Sequence, residues 1–144
     1  MLNITVICCG TLKESYLREA VKEYEKRLSA FCRLTVKEIK EDSLNATYSA
    51  VSSFKGHKIA LCVEGGMLSS PELARKIDTL AVGGVSDIAF VIGGSDGISE
   101  EIKKMCDSRL SFSPMTFPHQ LMRVILLEQI YRAFTIINHK QYHK

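Results

Sequence analysis

Residues 87 to 101, DIAFVIGGSDGISEE, contain the pattern that decides the fold. Ile88 to Ile92 is an uninterrupted apolar run, and it predicts a strand from Asp87 to Ile92 that is buried on both faces. The strand runs into the glycine-rich turn Gly93 to Gly97. Ser99 and the two glutamates after it then predict a helix start, because a hydroxyl caps the first turn and acids favour the positive end of the helix dipole.

The same alternation of strand and helix extends from this stretch in both directions. Further strands are predicted at Asn3 to Cys8, Leu34 to Ile39, Ile59 to Val63 and Leu110 to Ser113. Further helices are predicted at Leu17 to Leu28, Ser70 to the Gly83-Gly84 pair and Leu121 to Ile137. This order predicts an α/β fold, a mainly parallel sheet with helices on both faces, in one domain spanning residues 1–144. Segment 40–57 is polar and Ser-rich, and its weak periodicity predicts no regular element.

Composition excludes several classes of protein. With 46% hydrophobic and 24% charged residues, the chain is expected to fold and not to be disordered. Its apolar runs are far shorter than the roughly 20 residues that cross a bilayer, and its N-terminus has no signal-peptide pattern, so we expect a cytoplasmic protein without a membrane segment. Five cysteines without a Cys-x-x-Cys pair predict free thiols and no metal site.

The basic excess of the chain is concentrated near its C-terminus. Residues 109–144 carry a local net charge of +4, although the whole chain carries only +3, and three of the four histidines lie there too. A basic end on a near-neutral body favours a polyanionic partner, but a patch of this size is also common on an ordinary solvated surface.

Three loops are predicted at the carboxyl ends of strands, the edge at which parallel sheets bind ligands. They are Glu64 to Leu68, Gly93 to Gly97 and Ser113 to Pro118. Turns need glycine whether or not a ligand is present, so both roles stay open for these glycines. No P-loop motif is present, and the glycine spacing does not match a dinucleotide-binding fingerprint.

The final predicted helix is unusually apolar. Twelve of its 17 residues are apolar, more than one core-facing stripe requires, which predicts dimerisation through this helix. Arg123 lies on the apolar side, either solvated near the helix end or placed to bind an anion. His119 either caps the helix or packs in the core, or it acts on a substrate. On the polar side, Glu128 and Arg132 are spaced to form an i,i+4 pair.

The C-terminal tail, residues 138–144, is short and polar. Such a terminus is usually frayed. Alternatively, Tyr142 could stack on a base, His143 could exchange a proton and Lys144 could neutralise phosphate.

Four of these segments together resemble the RlmH-type SPOUT methyltransferases. They are VIGGSDG (91–97), LSFSPMTFPH (110–119), LLEQIYRAF (126–134) and YHK (142–144). The resemblance implies an S-adenosylmethionine-dependent enzyme that methylates N3 of a pseudouridine in bacterial large-subunit (23S) rRNA within the ribosome. It also implies a homodimer and a SPOUT-type parallel α/β fold with a C-terminal trefoil knot. Segment 40–57 is shorter than in typical members.

The same resemblance implies which residues form the site. The methyl-donor contacts fall on Leu61, Gly93, Phe112, Ser113, Pro114, Met115, Thr116 and Phe117. The substrate side falls on His119, Arg123, Arg132, Tyr142 and His143, with His143 as the candidate proton acceptor. We expect a larger side chain at Gly93 to fill the space of the donor and to abolish its binding without affecting the fold.

Two other classes of function stay open. A catalytically silent RNA-binding module of the same fold would need the basic C-terminal region but not the donor loops. A small hydrolase acting on nucleotides would need a nucleophile or a metal, yet Ser69, Ser70 and Ser99 occupy helix-capping positions.

Overall fold

Strands and helices alternate strictly along the chain. The structure, a computed structural model, describes residues 1–40 and 43–143. The described elements are β1 (Leu2–Cys9), α1 (Ser15–Leu28), β2 (Cys32–Ile39), α2 (Leu44–Ser53), β3 (His57–Met67), α3 (Ser70–Val82), β4 (Asp87–Ile92), α4 (Glu100–Lys104), β5 (Ser108–Ser111) and α5 (His119–Ile137). The single-domain organisation stays a prediction.

The five strands form one sheet in the order β2-β1-β4-β3-β5. All four strand pairs are parallel, and Ile4 of β1 lies opposite Leu34 on one side and Ile88 on the other. The predicted α/β fold with a parallel sheet is therefore confirmed. The C-terminal knot that the resemblance implies stays a prediction.

The two faces of the sheet carry separate apolar cores. Alternate residues of β4 point in opposite directions. Ile88 and Phe90 join the larger core, which α1, α3 and α5 cover, whereas Ala89 and Val91 join a smaller core, which α2 and α4 cover. Helices therefore lie on both faces, as predicted.

Helix α5 packs between α1 and α3 on the larger core. Leu127 and Ile130 are fully buried there, and Leu121 is the one residue of the helix that is exposed. The apolar residues Met122, Val124, Ile125, Ile136 and Ile137 of α5 are only partly buried within the chain. Dimerisation through this helix stays a prediction.

One element and several boundaries differ from the prediction. Segment 40–57, where no element was predicted, contains α2, whose first turn Ser43 caps by accepting a hydrogen bond from the Ala46 amide at 3.3 Å. Glu41 and Asp42 of that segment lie outside the described residues. Strand β5 begins two residues earlier than predicted, and α5 begins at His119.

Strand β3 continues through the Gly65-Gly66 pair, where it was predicted to end. Leu61 and Gly66 both lie opposite Leu110 of β5, so the residues between them bulge out of the sheet. A Cβ atom at Gly65 would lie 2.8 Å from backbone atoms of Arg109 and Leu110. The glycine at 65 is therefore required by the close approach of β3 and β5.

Alanine is expected to destabilise the protein at one glycine of this pair and not at the other. Gly65→Ala forces β3 and β5 apart and is expected to lower the free energy of unfolding by about 1 to 3 kcal/mol, the usual cost of overpacking. Gly66→Ala is the matched control, because its Cβ would approach nothing nearer than the Arg109 carbonyl oxygen at 3.9 Å. Urea unfolding of both variants measures the difference. Equal stability of the two variants would contradict this account of the bulge.

Candidate active site

A cavity of about 710 Å³ lies at the carboxyl ends of β3, β4 and β5. Its volume is within the usual range for a small-molecule site. Its lining residues are Leu61, Cys62, Val63, Glu64, Ile92, Gly93, Gly94, Ser95, Asp96, Gly97, Ile98, Lys103, Leu110, Ser111, Phe112, Ser113, Met115, Thr116, Phe117, Pro118, His119 and Met122. The cavity therefore brings all three predicted loops together, although only Glu64 of the first loop lines it.

The turn after β4 is closed tightly around its glycines. The Gly97 amide donates a hydrogen bond to the Gly94 carbonyl at 2.9 Å, and Gly97 has a φ of 77°, a conformation that favours glycine. A Cβ atom at Gly93 would lie 2.4 Å from the carbonyl carbon of Gly97. The expected reason for glycine at 93 was wrong, since a side chain would first collide with the turn itself and not with a ligand.

The segment after β5 forms the opposite wall of the cavity. Ser111 donates from its hydroxyl to the Ser113 carbonyl at 3.1 Å, and the Ser113 hydroxyl accepts from the Met115 amide at 3.0 Å. Seven of the eight predicted donor-contact residues line the cavity. Pro114 is the exception, and its predicted contact stays a prediction.

Two charged side chains on the cavity wall form an ion pair that the sequence analysis did not foresee. Lys103 of α4 donates to the carboxylate of Glu64, which lies in the bulge of β3. The hydrogen bond from Lys103 holds the pKa of Glu64 below its ordinary value, and the same bond raises the pKa of Lys103. The one indication of this pair in the sequence was that α4 directly follows the glycine-rich turn, so that a side chain of this helix could lie near the cavity.

His119 is the first residue of α5 and also lines the cavity. This position places one residue of the predicted substrate side beside the predicted donor loops.

Arg123 is almost fully buried, with 1% of its surface exposed. Its Nη1 lies 2.6 Å from a carboxylate oxygen of Glu38, and its Nη2 donates to the carbonyls of Cys9 and Gly10 at 3.1 and 2.9 Å. The interpretation that Arg123 is solvated was therefore wrong. The anion beside it is Glu38 of β2, so Arg123 ties the start of α5 to the ends of β1 and β2. Its predicted contact with a substrate stays a prediction.

The end of the C-terminal tail is docked on α5. The Tyr142 hydroxyl donates to Glu128 at 3.3 Å, and the Tyr142 and Tyr131 rings form a T-shaped pair with a centroid distance of 4.9 Å. The Arg132 guanidinium lies 4.8 Å from the Tyr142 ring centre. The interpretation of the tail as a frayed end was wrong for Tyr142 and His143, and Lys144 lies outside the described residues.

Arg132 connects the polar side of α5 to His143. It forms the predicted i,i+4 pair with Glu128 at 3.0 Å, and its Nη1 lies 3.2 Å from His143 Nδ1. Because a guanidinium only donates hydrogen bonds, Nδ1 must accept, which places the proton of a neutral ring on Nε2.

The structure separates the predicted site residues into two groups. The donor residues other than Pro114 line the cavity together with His119, but Arg123, Arg132, Tyr142 and His143 do not line it. Arg132 follows the lining residue Met122 by ten positions, about 15 Å along the helix axis. Within one copy, the tail and the cavity therefore lie apart along α5.

No helix within residues 1–40 and 43–143 is long and apolar enough to cross a membrane. No three His, Cys, Asp or Glu side chains gather there in a way that could hold a metal ion.

Comparison with known proteins places the chain among methyltransferases. A family model described as "Predicted SPOUT methyltransferase" matches residues 2–143. Proteins named ribosomal RNA large subunit methyltransferase H from Clostridium kluyveri and Alkaliphilus oremlandii are each 46% identical, over 99% of this chain and 100% of theirs. Each alignment runs over 159 positions, so these relatives carry residues that this 144-residue chain lacks.

Solved structures agree on the fold. A probable methylase family protein from Haemophilus influenzae matches with a TM-score of 0.59 at 14% identity, over 98% of this chain and 70% of that one. A Legionella pneumophila methyltransferase structure with bound S-adenosylmethionine matches with a TM-score of 0.50 at 12% identity, over 92% of this chain and 66% of that one. The chain, matched by the family model along nearly its whole length, belongs to the SPOUT methyltransferase family.

Proposed function

We propose that the protein transfers a methyl group from S-adenosylmethionine to N3 of a pseudouridine in bacterial large-subunit (23S) rRNA, acting on ribosomes in the cytoplasm. The observation that carries this proposal is the cavity in which the three predicted donor loops meet. The names of the 46% identical relatives support rRNA of the large subunit as the substrate.

The cavity is suited to this donor. Leu61, Ile92 and Leu110 provide apolar side chains from three adjacent strands, where a flat base can pack. The glycine-rich turn leaves backbone groups accessible beside them. When bound, S-adenosylmethionine supplies a methyl group on a positively charged sulfur.

The chain's own contribution is chiefly to position donor and acceptor. Holding two reactants in line contributes up to about 7 to 11 kcal/mol to lowering a barrier, and the rigid ends of β3, β4 and β5 provide the fixed frame. The N3 proton of the base must also leave. We assign its acceptance to His143, which first has to part from Arg132, because Arg132 occupies the Nδ1 lone pair in the docked tail.

The separation of tail and cavity supports a homodimer. Arg132, Tyr142 and His143 lie away from the cavity of their own copy, so we infer that the tail of one copy completes the cavity of the other. The family resemblance implies the same oligomeric state.

Labelled methyl donor tests the proposed function directly. The protein is incubated with methyl-labelled S-adenosylmethionine and with either assembled ribosomes or separated large subunits, and the modified nucleotide is mapped. We expect label at N3 of one pseudouridine in the large-subunit rRNA. RNA binding without donor binding in calorimetry would instead support a catalytically silent RNA-binding module.

A further inference from the structure

The Glu64–Lys103 pair connects two elements at the wall of the cavity. Glu64 lies where β3 bulges out of the sheet, and Lys103 lies on α4, which follows the glycine-rich turn. Both side chains line the cavity. The Glu64 side chain is 47% exposed and the Lys103 side chain 15% exposed, so the pair borders both the cavity and solvent.

The charges of the cavity are concentrated at this pair. Among the described lining residues, Lys103 is the one lysine or arginine, and Glu64 and Asp96 are the acids. Leu61, Ile92 and Leu110, from three adjacent strands, contribute apolar side chains to the same lining. The lining is therefore divided between apolar side chains of the sheet and the charged pair of Glu64 and Lys103.

Both members of the pair carry their charge at neutral pH. The Lys103 hydrogen bond lowers the pKa of Glu64, and the Glu64 hydrogen bond raises the pKa of Lys103. A partly exposed ion pair contributes little to stability, so it can exchange its partners for those of a ligand at small cost.

The proposed donor has the same division into an apolar and a charged end. S-adenosylmethionine carries a flat base at one end and an amino acid, with an ammonium and a carboxylate, at the other. We propose that Glu64 binds the ammonium and Lys103 the carboxylate of this amino-acid end. The inference rests on the proposed function, because it assigns a subsite for the same donor.

Comparing three ligands isolates the contribution of the amino-acid end to binding from that of the other parts of the donor. S-adenosylmethionine has the amino acid and the positive sulfur, S-adenosylhomocysteine keeps the amino acid with a neutral sulfur, and methylthioadenosine has neither. Calorimetry measures the affinity of each ligand for wild-type protein and for Glu64→Gln and Lys103→Gln. The matched controls are Glu101→Gln and Lys104→Gln, exposed residues of α4 that do not line the cavity.

We expect each site variant to bind S-adenosylmethionine and S-adenosylhomocysteine about tenfold more weakly than wild type, as for loss of one charged hydrogen bond. Affinity for methylthioadenosine is expected to stay unchanged, and both controls are expected to match wild type for all ligands. Unchanged thermal unfolding of the variants shows that the fold is kept, and Lys103→Gln serves alone if Glu64→Gln does not fold.

Two results would overturn the inference while leaving the proposed function intact. One is that both variants bind S-adenosylhomocysteine as tightly as wild type does. This result would also arise if Glu64 interacted only with the positive sulfur of S-adenosylmethionine, because S-adenosylhomocysteine lacks that charge. The other is an equal loss for methylthioadenosine, since that ligand lacks the amino acid. Wild-type protein that binds none of the three ligands would contradict the proposed function itself, and the inference with it.

Discussion

Gly93→Ala is expected to abolish measurable donor binding, with a loss of affinity of at least about a hundredfold. Its Cβ would lie 2.4, 2.6 and 2.7 Å from the Gly97 carbonyl carbon, the Gly97 oxygen and the Ile98 amide. All three are backbone atoms, so the turn itself has to open. Opening the turn displaces one wall of the cavity, and interactions that depend on position are lost when their groups move by about 1 Å.

Gly97→Asn is the matched comparison for this prediction. Gly97 has a φ of 77°, which asparagine tolerates better than most residues, and a Cβ there approaches no atom within 4 Å. We expect a loss of donor affinity below about tenfold, because no backbone has to move. Calorimetric titration with S-adenosylmethionine measures both variants. Wild-type affinity in Gly93→Ala would show that the closed turn is not needed for the donor.

His143→Ala is expected to lower the single-turnover rate of methyl transfer by about 10² to 10⁴-fold, the range for a lost acid–base group. Donor affinity is expected to stay unchanged, because we assign His143 to the N3 proton of the acceptor base and not to the donor. Gln141→Ala is the control, an exposed residue of the same tail. If His143 only helped to position the ribosome, its replacement would instead weaken ribosome binding and leave the pH dependence of the rate unchanged.

Deletion of residues 142–144 is a blunter form of the same test. The rate is expected to fall at least tenfold, but the protein also loses the Tyr142 contacts with Tyr131 and Glu128, so a stability loss of about 1 kcal/mol is expected. Full activity of this variant would show that the tail has no part in the reaction. The substrate residues would then have to be sought at His119, Arg123 and Arg132.

Mixing two inactive variants tests whether the tail acts on its own copy or on the partner. Gly93→Ala has a defective cavity and an intact tail, and His143→Ala has the reverse. If the tail serves the other copy, mixed dimers contain one complete site, and activity returns when the variants are unfolded and refolded together. If the tail serves its own copy, no complete site forms and the mixture stays inactive. Inactivity despite confirmed mixed dimers would contradict the proposed composite site.

The convergence of the donor loops was predictable, whereas the partners of the buried charges were not. Parallel strands bring their carboxyl ends to one edge, so Gly93 and Phe112 were placed together by the order of elements alone. Arg123 was recognised as unusual on an apolar face. Its partner Glu38 lies 85 residues away on β2, at a position that only the assembled sheet brings near.

Local sequence patterns were also ambiguous where one residue type suits two structural roles, as glycine suits both the end of a strand and a close approach of two strands. Gly65 was predicted to end a strand. The sequence alone does not show that the backbone of β5 passes so close to β3 that no side chain fits at this position. Lys103 belongs to a helix of only five residues, too short for its periodicity to reveal which side chain faces the cavity.

The order of strands in the sheet has a consequence for synthesis of the chain. Strand β4 lies between β1 and β3, although it follows both in sequence. While the chain is being made, β1 and β3 therefore have no common neighbour until residue 92 has emerged from the ribosome. Until then the edges of both strands are unpaired on the side that β4 will occupy, and unpaired strand edges invite association with other chains. The nascent protein thus depends on rapid arrival of β4 during the very process whose machinery we propose it modifies.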